Sequence, residues 1–353
     1  MIKYLGSKRT LVPVLGDLAV GAGARTALDL FTGTTRVAQE LKRRGVHVTA
    51  ADVASYSAVL SDCFVATDAA AVDEAALDDE IARLDALPGV PGYFTETFCE
   101  QSRFFQPKNG ARVDAVRDAI ERDHPPGSPL RAVLLTSLML AADRVDSTTG
   151  VQMAYLKQWA PRAHGDLRLR RPDLIAGTGA TLAGDVTETV VAAPHVDLAY
   201  VDPPYNQHRY FANYHIWETL VRWDAPEHYG VACKRVDTRE TRSAFNSRRT
   251  MPSALREVLG AVRADVVVVS YNDEAWVTAD EITSMLLDAG HETVRLLGFD
   301  RKRYVGAQIG IYNPAGEKVG KVARLRNVEY VFVAGPADRV AAAVARVAEP
   351  SCR

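Results

Sequence analysis

Residues 27–57 read ALDLFTGTTRVAQELKRRGVHVTAADVASYS, and this stretch decides the fold. Ala27 to Phe31 is a short apolar run, which favours a buried parallel strand. A Gly/Thr turn follows, and then apolar residues at helical spacing that end near Gly45. Residues 46–50 predict a second strand. Strand, helix and strand together form a βαβ unit of about 25 residues, which predicts an α/β sheet.

The composition is that of an ordinary globular protein. The chain has 353 residues, of which 47% are hydrophobic and 24% charged, and this excludes a disordered or fibrous protein. No apolar run reaches the roughly 18–20 residues that span a bilayer, and the N-terminus lacks the apolar stretch of a secretory signal. The four cysteines are scattered without a CxxC pair, so no zinc site or disulfide framework is indicated. We predict a cytoplasmic protein with no membrane and no metal partner.

Residues 66–178 differ in pattern from the segments on either side. Helical patterns cover 68–87, 114–122 and 130–142, and 143–178 is polar and irregular. Strand patterns resume later, at 181–183, 196–201, 266–270, 294–299, 307–312 and 329–333, with a hairpin turn at 313–316 and a helix at 281–289. We therefore predict a catalytic domain formed by 1–65 and 179–353, interrupted by a mainly helical insert at 66–178.

Charge is distributed unevenly although the net charge is only −2. Residues 62–90 hold eight acids against one base, 234–249 hold six bases against two acids, and 295–326 hold eight bases against two acids. Such runs often do no more than solvate a surface. Local charge nevertheless decides which surface faces phosphate, so anion binding by the basic runs stays open.

The strongest chemical signal is Asp202-Pro203-Pro204-Tyr205, directly after the strand at 196–201. Open α/β sheets bind ligands at the carboxyl ends of their strands. Two prolines fix φ and remove two backbone donors, so the Asp202 carboxylate and the Pro203 carbonyl form a stiff pair of acceptors for an exocyclic amino group. Tyr205 offers a face on which a planar base can stack. The alternative is a proline-rich turn that only ends a strand.

The second signal is the turn from Asp29 to Thr35. A strand that leads into a glycine turn and a helix lets a ligand approach the backbone closely. Only Gly33 is present, so neither the three-glycine dinucleotide fingerprint nor a P-loop is matched. Asp52, at the end of the next strand, can accept hydrogen bonds from ribose hydroxyls. Taken alone, this unit could also serve packing only.

Three further motifs lie before, between and after these two signals: Lys3-Tyr4-Leu5-Gly6-Ser7-Lys8, Gly184-Asp185 and Ser270-Tyr271-Asn272-Asp273. In sequence and in order, the whole set resembles the Dam-like, alpha-group N6-adenine-specific DNA methyltransferases. The resemblance implies a class I methyltransferase (Rossmann-like) fold, with a mainly parallel sheet and an inserted helical target-recognition region. It also implies methyl transfer from S-adenosylmethionine to adenine N6 in duplex DNA after the base has flipped out.

The resemblance also assigns residues to roles. The implied catalytic residues are Asp202, Pro203, Pro204 and Tyr205. The implied cofactor-binding residues are Tyr4, Lys8, Asp29, Phe31, Gly33, Thr34, Asp52 and Asp185. The family pattern often has a second glycine where this chain has Thr35.

DNA contacts are predicted after the catalytic motif, at Arg209, Arg242, Asn246, Arg248 and Arg249. Basic residues interleaved with an amide suit phosphate and base-edge contacts. Aromatic residues at near-helical spacing lie between these positions, at Tyr210, Phe211, Tyr214 and Trp217. We favour a helix core for them over a wall for the flipped base.

Two rival functions remain. Cytosine N4 methylation is the nearest, because the same two acceptors fit either exocyclic amine. A nucleotide-binding oxidoreductase is less favoured because the loop has one glycine. The target sequence, the oligomeric state and the presence of a companion restriction endonuclease stay open.

Overall fold

The computed structural model of the protein describes residues 2–3, 8–204, 210–239, 241, 243–302, 311–312, 318–320 and 326–347. After helix α1 (Val12–Gly21), the predicted unit is present as strand β1 (Thr26–Leu30), helix α2 (Arg36–Arg43) and strand β2 (His47–Asp52). The two strands are parallel, with Ala27 opposite Val48. The βαβ prediction is confirmed.

The remaining strands are β3 (Gly179–Ala183), β4 (Val196–Val201), β5 (His228–Tyr229), β6 (Lys234–Arg235), β7 (Ala264–Asn272), β8 (Thr293–Lys302), β9 (Ile311–Tyr312), β10 (Lys318–Gly320) and β11 (Arg326–Gly335). Seven strands form one sheet in the order β3-β2-β1-β4-β7-β11-β8. β2 pairs in parallel with β1 and β3, and β4 pairs in parallel with β7, whereas β11 is antiparallel to β7 and β8. This is a doubly wound order with one antiparallel strand near the edge, and it confirms the class I methyltransferase fold. The turn predicted at 313–316 lies outside the described residues.

The other helices are α3 (Ser55–Ser61), α4 (Glu74–Asp85), α5 (Tyr93–Thr95), α6 (Pro107–Asp123), α7 (Arg131–Arg144), α8 (Val186–Ala192), α9 (Tyr210–Asn213), α10 (His215–Arg222), α11 (Met251–Ala261), α12 (Ala279–Asp288) and α13 (Ala337–Arg346). The helix predicted from 68 begins only at Glu74, because the Asp73 carboxylate caps it by accepting from the Ala76 N–H at 3.0 Å. The helix predicted from 114 begins earlier, at Pro107, because proline suits the first turn of a helix.

Two compact units divide the chain. The first comprises Met1–Gly16, Arg25–Ala193 and His208–Ser243, and the second comprises Asp17–Ala24, Pro194–Gln207 and Ala244–Arg353. The first holds β1 to β3, and the second holds β4, β7, β8 and β11. The boundaries of the insert, at residues 66 and 178, stay a prediction.

Aromatic side chains form much of the core of the first unit. Phe94, Phe98 and Phe105, from the predicted insert, are fully buried together with Tyr214 and Trp217. The ring centroids of Phe94 and Phe98 lie 5.0 Å apart, and those of Phe105 and Trp217 lie 6.3 Å apart, in edge-on geometries that aromatic pairs prefer. The helix-core interpretation of Tyr214 and Trp217 is therefore confirmed.

The polar stretch after α7 is irregular, as its composition predicts. Among the described residues from 145 to 178, an isolated antiparallel bridge between Thr148 and Tyr155 and a short 3₁₀ turn at Pro161–His164 are the regular features. The segment that this bridge closes, residues 148–155, is called the 148–155 hairpin below.

In the second unit, the apolar run of β7 lies in the middle of its part of the sheet. Val266 to Val269 are buried, as expected for a strand covered on both faces. Helix α12 begins with a reciprocal pair of bonds between Thr278 and Glu281, a capping box that fixes where the helix starts.

Candidate active site

The glycine loop, residues 31–35, joins β1 to α2 in the first unit. It contains three positive φ angles: +63° at Phe31, +53° at Gly33 and +60° at Thr35. A left-handed conformation costs a non-glycine residue roughly 1–2 kcal/mol. Thr35, where the resemblance expects glycine, is buried, and its Oγ1 accepts a hydrogen bond from the Gln39 amide at 2.8 Å. Strain of this kind is concentrated at ligand sites in proteins.

Asp29 holds this loop from inside the protein. Its side chain is buried, and Oδ2 accepts from the Thr32 hydroxyl at 2.7 Å and from the Ala38 N–H at 3.1 Å. One carboxylate oxygen therefore ties the turn to the first residues of α2. These contacts make Asp29 a residue that shapes the loop.

Asp52 lies at the end of β2 and faces the same loop. Its Oδ2 accepts from the Gly33 N–H at 2.9 Å and its Oδ1 from the Ala54 N–H at 3.0 Å, while the Ser57 hydroxyl donates to the Gly33 carbonyl at 2.6 Å. Burial raises the pKa of Asp52, and the two backbone N–H groups oppose that rise. Each carboxylate oxygen keeps a further lone pair that can accept a hydroxyl.

The other predicted cofactor residues are Tyr4, Lys8, Phe31 and Thr34. Lys8 is buried, and its carbonyl accepts from the Leu11 N–H at 2.7 Å at the start of α1. Phe31 and Thr34 are half-buried in the glycine loop. Tyr4 lies outside the described residues.

Asp185 caps helix α8 in addition to its predicted role. Its Oδ1 accepts from the backbone N–H and the hydroxyl of Thr187, at 2.9 and 2.6 Å. The preceding Gly184 N–H donates to the Asp52 carbonyl at 3.0 Å, which places Asp185 beside the end of β2. The side chain is exposed, so a ligand can reach it.

These groups fit S-adenosylmethionine, the cofactor that the resemblance implies. The ribose diol needs acceptors, and Asp52 supplies a partly exposed carboxylate. The adenine needs a polar partner, and Asp185 is exposed on the neighbouring strand end. Gly33 in the glycine loop has no side chain and a positive φ, so a ligand can approach the loop backbone closely there.

Asp202 follows β4 in the second unit. β4 pairs with β7, and Val201 lies opposite Val269. The Tyr200 hydroxyl and the Ser270 hydroxyl are 2.7 Å apart in a fully buried position, which joins the ends of the two strands. Asp202 is half-buried at this fixed end. Because Tyr200 lies within an apolar run, its supporting role could not be predicted from the residue pattern.

The remaining parts of the catalytic motif are only partly described. Pro203 is buried and Pro204 half-buried, whereas Tyr205 lies outside the described residues. The later motif at 270–273 ends in a turn, because the Asn272 Oδ1 accepts from the Glu274 N–H at 2.8 Å.

The basic run at 234–249 is partly structural, because two arginines of its first half interact within the protein. Arg235 is buried at 1% exposure and contacts Asp224 at 2.7 Å and Asp237 at 2.8 Å. These hydrogen-bonded carboxylates hold its pKa above the usual arginine value, although burial opposes the effect. The Arg239 guanidinium lies 3.8 Å from the Tyr229 ring centroid. Both charges are used within the protein.

The second half of the run includes two exposed arginines. Arg248 and Arg249 are exposed, and neither makes an ion pair within the part of the chain that the structure describes. Asn246 is half-buried beside them. Arg209 and Arg242 lie outside the described residues.

The acidic run pairs with basic residues that the sequence analysis did not single out. Arg171 contacts Glu74 at 2.8 Å, and Arg168 contacts Asp85 at 3.4 Å. Part of the acidic surface therefore neutralises the segment around 168–171. The sequence signal for this pairing is an acidic run at 62–90 and basic residues near 168–171, which lie far apart along the chain.

Comparison with known proteins identifies the family. The sequence model described as "D12 class N6 adenine-specific DNA methyltransferase" matches residues 4–285. The chain belongs to this family. This D12-class chain is 30% identical over 211 residues to Type II methyltransferase M.FokI of Planomicrobium okeanokoites, covering 58% of the chain and 32% of that protein.

Two further relatives match more of this D12-class chain. Modification methylase StsI of Streptococcus sanguinis is 24% identical over 306 residues, 81% of the chain and 46% of that protein. Type II methyltransferase M.NlaIII of Neisseria lactamica is 27% identical over 296 residues, 80% of the chain and 86% of that protein. The chain thus spans less than half the length of the first two relatives. The predicted membership of the N6-adenine DNA methyltransferases is confirmed.

The described residues hold neither a metal-binding cluster nor a membrane-spanning helix. They contain no group of three or more His, Cys, Asp or Glu side chains that could hold a metal ion. No helix in the same part of the chain is both long and apolar enough to cross a membrane.

Proposed function

We propose that the chain transfers the methyl group of S-adenosylmethionine to adenine N6 in duplex DNA. The observation that carries the proposal is the match to an adenine-specific family over residues 4–285, together with Asp202-Pro203-Pro204-Tyr205 at the end of β4. Family membership removes the oxidoreductase alternative and favours adenine over cytosine.

The first unit supplies the cofactor side of the reaction. Asp52 accepts the ribose hydroxyls, and Asp185 contacts the adenine of the cofactor. Lys8, Phe31, Gly33, Thr34 and Tyr4 are the further proposed cofactor contacts, and Asp29 fixes the loop. When bound, S-adenosylmethionine contributes an electrophilic methyl group on a positively charged sulfur.

The second unit supplies the target side. The Asp202 carboxylate and the Pro203 carbonyl accept the two N–H bonds of the target amine, which directs the nitrogen lone pair away from the ring plane. Pro204 stiffens the turn and Tyr205 stacks on the base. Positioning and electrostatics therefore supply most of the rate enhancement. A base within a duplex cannot reach such a site, so it must flip out.

Duplex DNA is the proposed macromolecular substrate. Arg209, Arg242, Arg248 and Arg249 contact phosphates, Asn246 contacts a base edge, and the insert at 66–178 recognises the target sequence. Support for the phosphate role comes from the exposed guanidinium groups of Arg248 and Arg249, which form no ion pair with any described residue.

The proposed setting is a cytoplasmic restriction–modification system. Cys63, Cys99 and Cys233 are buried free thiols, which suits a reducing compartment. Relatives named as modification methylases and type II methyltransferases support a companion restriction endonuclease with the same target site.

Product analysis tests the proposal. The purified chain is incubated with unmethylated duplex DNA and S-adenosylmethionine carrying a labelled methyl group, and the DNA is digested to nucleosides for mass spectrometry. Label in N6-methyladenine is expected, and none with the Asp202→Ala variant. Label in N4-methylcytosine, or equal label with the variant, would overturn the proposal. Single-molecule sequencing of the same DNA gives the target sequence.

A further inference from the structure

Helix α10, which follows the catalytic motif in sequence, has no cap of its own. The residue before it, Tyr214, has φ −127° and makes no side-chain capping bond. The first N–H groups of a helix have no partner within the helix, so a buried helix start needs an outside acceptor. Ile216, in the first turn of α10, is fully buried.

Gln152, in the 148–155 hairpin, supplies that acceptor. Its side-chain Oε1 accepts from the Ile216 N–H at 2.9 Å. Its carbonyl oxygen is 3.0 Å from His215 Nε2, and its own N–H donates to the Asn213 carbonyl at 2.8 Å. One residue thus holds three points of the segment 213–216, at Asn213, His215 and Ile216. Gln152 is only 3% exposed, so water does not compete for these bonds.

The contact with His215 is kept in one protonation state. Burial lowers the pKa of His215 to about 3, so the imidazole is neutral at working pH and Nε2–H donates to the Gln152 carbonyl. The Nδ1 atom is buried without a hydrogen-bond partner among the described residues. The bond to Gln152 is therefore the polar contact that orients this ring.

The hairpin that carries Gln152 is itself held at its base. Asp146 lies 3.3 Å from the Lys3 ammonium and 2.7 Å from the Arg162 guanidinium, and its Oδ2 accepts from the Thr148 hydroxyl at 2.7 Å. Lys3 immediately precedes Tyr4 of the N-terminal motif. The base of the hairpin is thus held by several polar contacts, one of them with Lys3, the first residue of the N-terminal motif.

We propose that Gln152 is a positioning residue for methyl transfer, because it fixes the segment 213–216 that follows the catalytic motif. The inference rests on the proposed function. Gln152 does not touch the substrate. It caps α10 from outside and so fixes where this helix begins, at His215, ten residues after Tyr205 in sequence. Without the Gln152 side chain, the catalytic motif is unchanged, but the segment that follows it in sequence is held less firmly.

The test compares two variants in the same hairpin. Gln152→Met keeps the side-chain length and removes the acceptor for Ile216, while the backbone bonds of residue 152 remain. Thr148→Val is the matched control, because it removes two bonds, the one donated to Asp146 at 2.7 Å and the one accepted from the Gly150 N–H at 3.1 Å. Neither of these bonds touches 213–216. Gln152→Glu, which keeps an acceptor oxygen, is the rescue variant.

We expect Gln152→Met to lower kcat about ten-fold or more, while KM for S-adenosylmethionine changes less than two-fold. A duplex with 2-aminopurine at the target position should show a smaller fluorescence rise on binding. Thr148→Val should keep kcat within two-fold, and Gln152→Glu should restore most of it. If Gln152→Met does not fold, Gln152→Asn tests the same bond, because its amide is too short to reach Ile216.

An equal loss of kcat in Gln152→Met and Thr148→Val would overturn the inference, since it would indicate general loosening of the hairpin. Wild-type kcat in Gln152→Met would overturn it as well. A wild-type chain that methylates no adenine fails at the proposed function instead, and the two failures are distinguished by the wild-type assay alone.

Discussion

Replacing Asp52 with asparagine separates its structural contacts from its proposed contact with ribose. Asp52→Asn keeps the shape of the side chain and removes its charge. The carboxylate accepts a backbone N–H on each oxygen, from Gly33 and from Ala54. Asparagine has one carbonyl oxygen and one NH2 group, so in either orientation one of those two N–H groups faces a donor.

The expected magnitudes follow from these contacts. A hydrogen bond to a charged group contributes about 1.5–3 kcal/mol. Because Asp52 is partly exposed, water offsets part of the loss, and we expect the free energy of unfolding to fall by about 1.5 kcal/mol. The lost bond to ribose adds a separate effect on binding. It should weaken the affinity for S-adenosylmethionine by about ten- to a hundred-fold.

Titration calorimetry with S-adenosylmethionine and urea denaturation measure the two effects on the same protein sample. Asp114→Asn is the matched control. The Asp114 carboxylate is buried and also accepts backbone N–H groups on both oxygens, from Phe94 at 2.9 Å and from Gly92 at 2.9 Å. This control should lose stability and bind the cofactor as the wild-type protein does.

Two results would refute the reasoning. An unchanged dissociation constant in Asp52→Asn would remove Asp52 from the ribose site. A similar loss of affinity in Asp114→Asn would show that cofactor binding follows overall stability and carries no information about position 52.

The remaining predictions concern other sites. Asp202→Ala should abolish methyl transfer and leave cofactor affinity within two-fold, by filter-binding and calorimetry; normal turnover would contradict the role. Arg248→Ala combined with Arg249→Ala should reduce the slope of log K against log salt for DNA binding by about one to two units, and titrations on cognate and scrambled duplexes check this. Arg235→Leu should lower the free energy of unfolding by about 1.5–3 kcal/mol, because it removes the hydrogen bonds of a buried guanidinium to Asp224 and Asp237, as denaturation would show. Cofactor affinity should fall as pH drops through the raised pKa of Asp52, since only the carboxylate accepts two hydroxyls; an affinity that stays constant as the pH is lowered through the acidic range in which the protein stays folded would count against it.

The fold could be predicted from the sequence because its signals are local. The apolar run at 27–31, the glycine turn and the helical spacing after it lie within one stretch of chain, and β1, α2 and β2 are found there. The position of β11 between β7 and β8 could not be predicted in this way. Strand order is set by contacts between residues far apart in sequence, which periodicity does not report.

For the candidate site, the sequence predicted which residue types take part, but it did not predict what surrounds each of them. Asp52 and Asp202 were singled out because each is an acid that follows a predicted strand, where open α/β sheets bind their ligands. Arg235 shows the limit of counting charge: its environment depends on Asp224, across an intervening turn and strand. Thr35 shows another limit: threonine rarely adopts a left-handed backbone, so its φ of +60° could not be predicted from the residue type.

The buried cysteines give the protein an internal reporter of local opening. Thiol reagents attack only the thiolate, and burial raises the pKa of Cys63 to about 12. Cys63, Cys99 and Cys233 all lie in the first unit, so each reacts only when its own surroundings open. Cys63 follows α3, Cys99 lies just after α5, and Cys233 precedes β6. Peptide mapping of alkylation over time would therefore rank the opening rates of three regions of that unit, in the native chain and without a single substitution.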